Sequence, residues 1–197
     1  MSIINVVGAK IWGGGEQYVY DICKQLQQRH RTAYILVDQS NEDMQSRYAQ
    51  VGHVMTANLY TLKGFLSVNA VAKQVKEQGI DTIVCHSGKY ILFCIALKQL
   101  TSAKLVFIKH NLVPGKTDMY HRWINAQVDT FVCVSKLVYD DLMTPAIKDT
   151  SKYHVVYNGI DPNRFQSFSD AVPMKYKVST FGYSARITER KGLYLIL

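Results

Sequence analysis

The sequence predicts a doubly wound α/β fold built on a parallel sheet, and three observations predict it. Short apolar runs rich in β-branched residues alternate with longer stretches of helical period. Several of those runs lack polar alternation, as expected of strands covered by helices on both faces. The spacing between runs suits right-handed strand–helix–strand crossovers.

Each element has its own justification. Ile3 to Val7 reads as the first strand. Val19, Ile22, Cys23 and Leu26 then fall at i, i+3, i+4 and i+7, which draws one apolar stripe on a helix. Tyr34 to Val37 reads as a second strand, the polar stretch Ser40 to Gln50 as a short exposed helix, and His53 to Thr56 as a third strand. Val68, Val71, Ala72 and Val75 repeat the helical stripe, and Gly79 stands where a C-terminal cap belongs. Thr82 to Cys85, Leu105 to Ile108 and Thr130 to Val134 read as buried strands, with helix-length stretches at Tyr90 to Leu100 and Asp118 to Ala126 between them. Ser135 occupies an N-cap position ahead of Val138 and Leu142. Tyr153 to Val156 is a last short strand.

Composition changes after Asn158-Gly159-Ile160-Asp161-Pro162. The small, polar residues from Gln166 onward read as a linker, Lys177 to Tyr183 as a fresh strand, and Leu193 to Leu197 as a helix just starting. The expected organisation is a first domain over 1–165, a linker over 166–176, and the start of a second, truncated α/β domain over 177–197. A one-turn helix with an apolar end cannot support itself, so the chain reads as stopping inside that domain.

Composition excludes several function classes. Hydrophobic residues make up 48% and charged residues 19%, which rules out a disordered or low-complexity chain. The formal charge of +8 is spread along the sequence without a basic run, so a nucleic-acid arm is not expected. A diffuse positive surface still favours anionic partners. Cys23, Cys85, Cys94 and Cys133 have no metal-ligand spacing and read as buried free thiols, which suits a reducing compartment. The N-terminus lacks the cationic lead of a signal peptide, and no apolar run approaches about 18 residues. A cytoplasmic location is expected.

Four places carry candidate chemistry. Trp12-Gly13-Gly14-Gly15-Glu16 joins the first strand to a helix. Glycines there permit positive φ and uncover backbone N–H groups at a helix N-terminus, which suits phosphate; an ordinary tight turn reads equally well. Glu16 suits a ligand hydroxyl or the positive end of the helix. His110 and Asn111 follow one buried strand, and His86 and Ser87 follow another. Ligands of open α/β sheets gather beyond such strand ends. Arg186 and Lys191 flank a loop that meets a helix at Gly192, a receptor for diphosphate or a solvated basic turn. A dinucleotide-binding oxidoreductase is a lesser alternative: Lys10 breaks the glycine fingerprint in Gly8-Ala9-Lys10-Ile11-Trp12-Gly13, although Asp38 suits a ribose. No third residue completes a metal site with His86 and His110, and no G-x-S-x-G elbow marks a hydrolase.

Taken in order, these pieces resemble the family-4 retaining glycosyltransferases, also called the group-1 family, of the GT-B type. The resemblance rests on Gly14-Gly15-Glu16, His110, Phe131-Val132-Cys133-Val134-Ser135-Lys136, Asn158-Gly159-Ile160-Asp161 with Arg164-Phe165, and Ala185-Arg186-Ile187-Thr188-Glu189-Arg190-Lys191-Gly192. It implies two Rossmann-like domains, the first facing the acceptor and the second the nucleotide-sugar donor. It implies sugar transfer with retention, without a metal or other cofactor. By the same resemblance His110 is the catalytic residue, hydrogen-bonding the transferred sugar. Arg186, Lys191, Gly14 and Gly15 would bind the donor diphosphate. Glu16, His86, Ser87 and Asn111 would face a glycan or lipid-linked acceptor. Ala185 departs from the family glycine, and the family's Glu-x7-Glu element is not within the 197 residues. The chain by itself is therefore expected to transfer no sugar. A non-catalytic module binding an anionic glycan or lipid is the alternative. Lys63-Gly64-Phe65-Leu66 is a candidate tip for peripheral contact with the cytoplasmic face of a membrane.

Overall fold

In the computed structural model, which describes residues 2–60, 64–143, 147 and 149–162, the apolar runs pair as seven parallel strands. These are β1 (Ile3–Val7), β2 (Tyr34–Asp38), β3 (His53–Ala57), β4 (Thr82–Cys85), β5 (Lys104–Lys109), β6 (Thr130–Cys133) and β7 (Tyr153–Val155). The helices between them are α1 (Gly14–Gln28), α2 (Glu42–Tyr48), α3 (Gly64–Glu77), α4 (Ile91–Thr101), α5 (Met119–Gln127) and α6 (Lys136–Leu142). The sheet order is β3-β2-β1-β4-β5-β6-β7. Chain direction across the sheet reverses between β1 and β4, so the crevice beyond their carboxyl ends is the place where such folds bind ligands.

Side chains alternate along each strand and build a core on each face. Ile4, Val6, Leu36, Ile83 and Leu105 pack under α3, α4, α5 and α6. Val7, Ile35 and Val37 pack under Val19 and Cys23 of α1 and Met44 and Tyr48 of α2. Helix α2 is therefore less exposed than its polar sequence suggests: Met44 and Tyr48 are fully buried. Two apolar residues four apart suffice to dock a helix this short.

Local chemistry sets the helix limits. Asn41, Asp118 and Ser135 accept backbone N–H groups at the starts of α2, α5 and α6. Beyond α3, Gly79 takes φ +61°, the left-handed conformation that glycine tolerates. Asn41 also donates from Nδ2 to the carbonyl of Ala9, at 2.9 Å, and so ties α2 to the loop after β1. All four cysteines are free and buried. Among the described residues no helix is long and apolar enough to cross a membrane.

The chain divides into two units, Met1–Asn158 and Gly159–Leu197, and every element named above belongs to the first. The expected linker and second domain, with Arg164-Phe165, Arg186 and Lys191, lie outside the described residues. So does Lys63, while α3 starts at Gly64 and presents Leu66 to solvent.

Candidate active site

The crevice is built on a polar residue inside the first strand. Asn5 interrupts Ile-Ile-Asn-Val-Val and is buried at 3% exposure. A buried amide is stable only when its donors and acceptors are used. Asn5 Nδ2 donates to Cys23 Sγ at 3.8 Å, and burial pushes that thiol up to about 12, so the sulfur is a neutral, weak acceptor. With the amide oriented this way, Oδ1 faces Nε2 of His86 at 3.0 Å, across the boundary between β1 and β4. Nδ1 of His86 in turn lies 3.1 Å from Nε2 of His110, just past β5.

This chain of contacts fixes where the protons sit. An amide oxygen only accepts, so His86 donates from Nε2. Neutral His86 then accepts at Nδ1, and His110 must donate from Nε2. The remaining nitrogen, Nδ1 of His110, carries a lone pair and meets no hydrogen-bonding group among the described residues. Both rings are neutral. Burial pushes His86 down to about 3, the more so because a proton on it would face His110, and burial lowers His110 as well. Tyr18 of α1 stands edge-on to the His110 ring, 5.2 Å between centroids, and holds it from the side.

The glycine loop lies on the same crevice, one helical turn before Tyr18. Gly13 is the N-cap of α1 and is extended, with φ −152°. Among the described glycines only Gly79 has positive φ, so the expected use of positive φ in this loop is not realised. The glycines serve another end. A Cβ at Gly14 or Gly15 would meet nothing within 4 Å, so packing does not demand glycine there. What they leave open is the N-terminus of α1, with its uncovered N–H groups and positive dipole end. Trp12 anchors the loop: its Nε1 donates to Gln17 at 3.1 Å, and its ring packs on Tyr48 at 5.3 Å. The Tyr48 hydroxyl donates to the carbonyl of Glu16 at 3.0 Å. The open helix end is thus held rigidly from one flank.

The remaining candidates have varied surroundings. Glu16 sits in the first turn of α1 and is partly exposed. Ser87 accepts the N–H of Lys89 and caps the short 3-10 turn Gly88–Tyr90. Asn111 is exposed. Asp38, the residue suited to a ribose, is occupied by the fold: it accepts N–H groups from Leu59, at 2.9 Å, and Ser40, at 3.0 Å, and the Ser40 hydroxyl. Asn5 and Tyr18 carry the geometry but belong to no motif; the one signal in the sequence is an amide inside an apolar strand.

The sequence matches the pattern of Glycosyltransferase Family 4 over residues 12–164. The chain belongs to that family. It matches no curated protein. Solved structures of the same fold include a glycosyltransferase from Rickettsia africae, 19% identical with a TM-score of 0.69 over 84% of this chain and 45% of that one. HepE of Anabaena, in complex with UDP-glucose, is 19% identical with a TM-score of 0.64, over 83% of this chain and 45% of that one. MurG of Acinetobacter baumannii is 11% identical with a TM-score of 0.55, over 82% and 47%. The chain thus spans about half the length of these structures of the same fold.

Proposed function

We propose that this chain is the acceptor-side part of a glycosyltransferase that moves a sugar from a nucleotide-sugar to a glycan or lipid-linked acceptor, with retention of anomeric configuration. The observation that carries the reading is the Asn5–His86–His110 relay, which presents a neutral imidazole beside the open N-terminus of α1. A neutral Nδ1 accepts a hydrogen bond from a sugar hydroxyl and orients the sugar without adding charge. The α1 N–H groups at Gly14 and Gly15 meet negative charge as it builds on the departing diphosphate. By the family resemblance Arg186 and Lys191 would bind the donor diphosphate; the division taken is a first domain of 1–165, a linker of 166–176 and a second domain starting at 177–197. The fold shared with HepE, solved with UDP-glucose, supports a nucleotide-sugar as donor. Glu16, His86, Ser87 and Asn111 shape the acceptor side, His86 through His110. The positive charge supports peripheral contact with a cytoplasmic membrane face.

The test compares the product of the whole reading frame with residues 1–197 alone, using labelled nucleotide-sugars. Transfer by the former and none by the latter, with the donor's anomeric configuration in the product, supports the reading. Turnover by residues 1–197 alone contradicts the division of labour. A reading frame that stops at Leu197 favours the binding module instead.

A further inference from the structure

Beyond the carboxyl ends of β4 and β5 lies a cavity of about 360 Å³, with Ser87 in its lining. It opens between the carboxyl end of β5, the start of α4, and α5. Phe107, Val113, Tyr120 and Ile124 give it an apolar wall. Lys89, Lys109 and Lys116 line it as well. Some lysines outside it are matched: Lys98 pairs with Asp129, Lys136 with Asp140, and Lys73 with Glu77. Among the described residues no carboxylate pairs with any of the three cavity lysines. The carboxylate of Asp118, at the start of α5, is already engaged by His121 at 2.7 Å.

Lys109 is the telling member. It is partly buried, and its Nζ lies 4.6 Å from the centroid of the Phe107 ring. Burial lowers its pKa by more than the neighbouring Cys133 and Cys85 raise it, which marks a cation partly stripped of water. Such a group is costly unless an anion restores the lost solvation. Three ammonium groups around one cavity match a doubly charged anion better than a single carboxylate. The apolar wall does not suit a bare hydrated ion, so the anion must be attached to an apolar body.

We propose that this cavity binds an organic phosphate, its head at Lys109 with the exposed Lys89 and Lys116 beside it, and its apolar body against Phe107, Val113 and Tyr120. This deepens the transferase reading and rests on it only in assigning the ligand to a lipid-linked acceptor, since binding does not require transfer. A phosphate head on an apolar chain is the chemistry such an acceptor brings.

The experiment is ligand titration of residues 1–197, followed by methyl NMR and calorimetry. The probes are inorganic phosphate, glucose 1-phosphate, and octyl phosphate below its micellar concentration. Octyl phosphate should bind at least tenfold more tightly than inorganic phosphate and should shift the methyl signals of Val113, Ile124 and Leu142. Lys109→Met keeps the side-chain length, removes the charge, and should weaken octyl phosphate at least tenfold. Lys116→Met, on an exposed loop, should weaken it about threefold and guards against a folding defect in the first variant. Lys24→Met, on α1, should change nothing. Absence of binding, or binding insensitive to both cavity lysines, overturns the proposal. Glucose 1-phosphate binding as tightly as octyl phosphate overturns the apolar half of it.

Discussion

Asp38 and His110 stand at equivalent places, each at the carboxyl edge of the sheet, yet their polar atoms have different fates. Asp38 spends its carboxylate on Leu59 and Ser40. Burial pushes its pKa up, but those hydrogen bonds and the charge of Lys10 outweigh it and hold the group below the usual carboxylate range. His110 uses one ring nitrogen on His86, and its other nitrogen meets no hydrogen-bonding group among the described residues. The difference teaches how to read a strand end in this fold. A side chain saturated by its own backbone holds loops together, and one left half-used is available to a ligand.

The comparison breaks first at activity. His110→Ala in the whole-frame protein should lower sugar transfer about 100-fold, as expected when one preorganised polar contact to the reacting substrate is removed. Its stability should fall by only about 1 kcal/mol, the cost of leaving Nδ1 of His86 without its donor. Asp38→Ala should leave transfer by the folded fraction unchanged. Losing the acceptor for the buried Leu59 N–H should cost about 2–3 kcal/mol in denaturant unfolding. A loss of transfer in Asp38→Ala beyond the fraction unfolded would contradict its structural assignment.

Acid sharpens the same contrast. His86 titrates near 3 when folded and near 6.5 when unfolded. Between those values the unfolded chain binds more protons, so stability rises with pH across that window and is flat above it. The slope from this residue is at most about 1.4 kcal/mol per pH unit. His86→Gln should remove that part of the slope, measured as the difference between the two unfolding curves from pH 7 to pH 4. An unchanged slope would mean that His86 is not held neutral by its burial.

The smallest effect comes from the glycine loop. Gly15→Ala meets open space and should stabilise the fold by about 0.5–1 kcal/mol, because alanine loses less entropy in a helix. Transfer should nevertheless fall, because the methyl group obstructs the open end of α1. A gain in stability with undiminished transfer would assign the glycines to chain flexibility alone.

Much of this fold was legible in the sequence. Ile3–Val7, Thr82 to Cys85 and the stripe from Val68 to Val75 announce themselves by period and by β-branching, and the caps at Ser135 and Gly79 mark helix limits. The burial of Met44 and Tyr48 was not legible, because two apolar residues in a polar heptapeptide give too weak a period. His86 and His110 could be named from their places after buried strands. Their contact could not, because it joins residues 24 apart through the β4–β5 pairing. Asn5 was visible as an anomaly, but its meaning depends on His86, 81 residues away. The positive-φ expectation for the glycine loop failed because Gly13 is extended and Gly14 already belongs to α1.

The central claim is that the relay holds His110 neutral, with Nε2 protonated and Nδ1 bearing a lone pair toward a substrate. Long-range nitrogen–proton NMR spectra of residues 1–197, labelled with nitrogen-15 and recorded at pH 7, read that state directly. The account predicts neutral rings for both histidines, each in the Nε2–H tautomer. A charged His110, or a His110 protonated at Nδ1 alone, would contradict it.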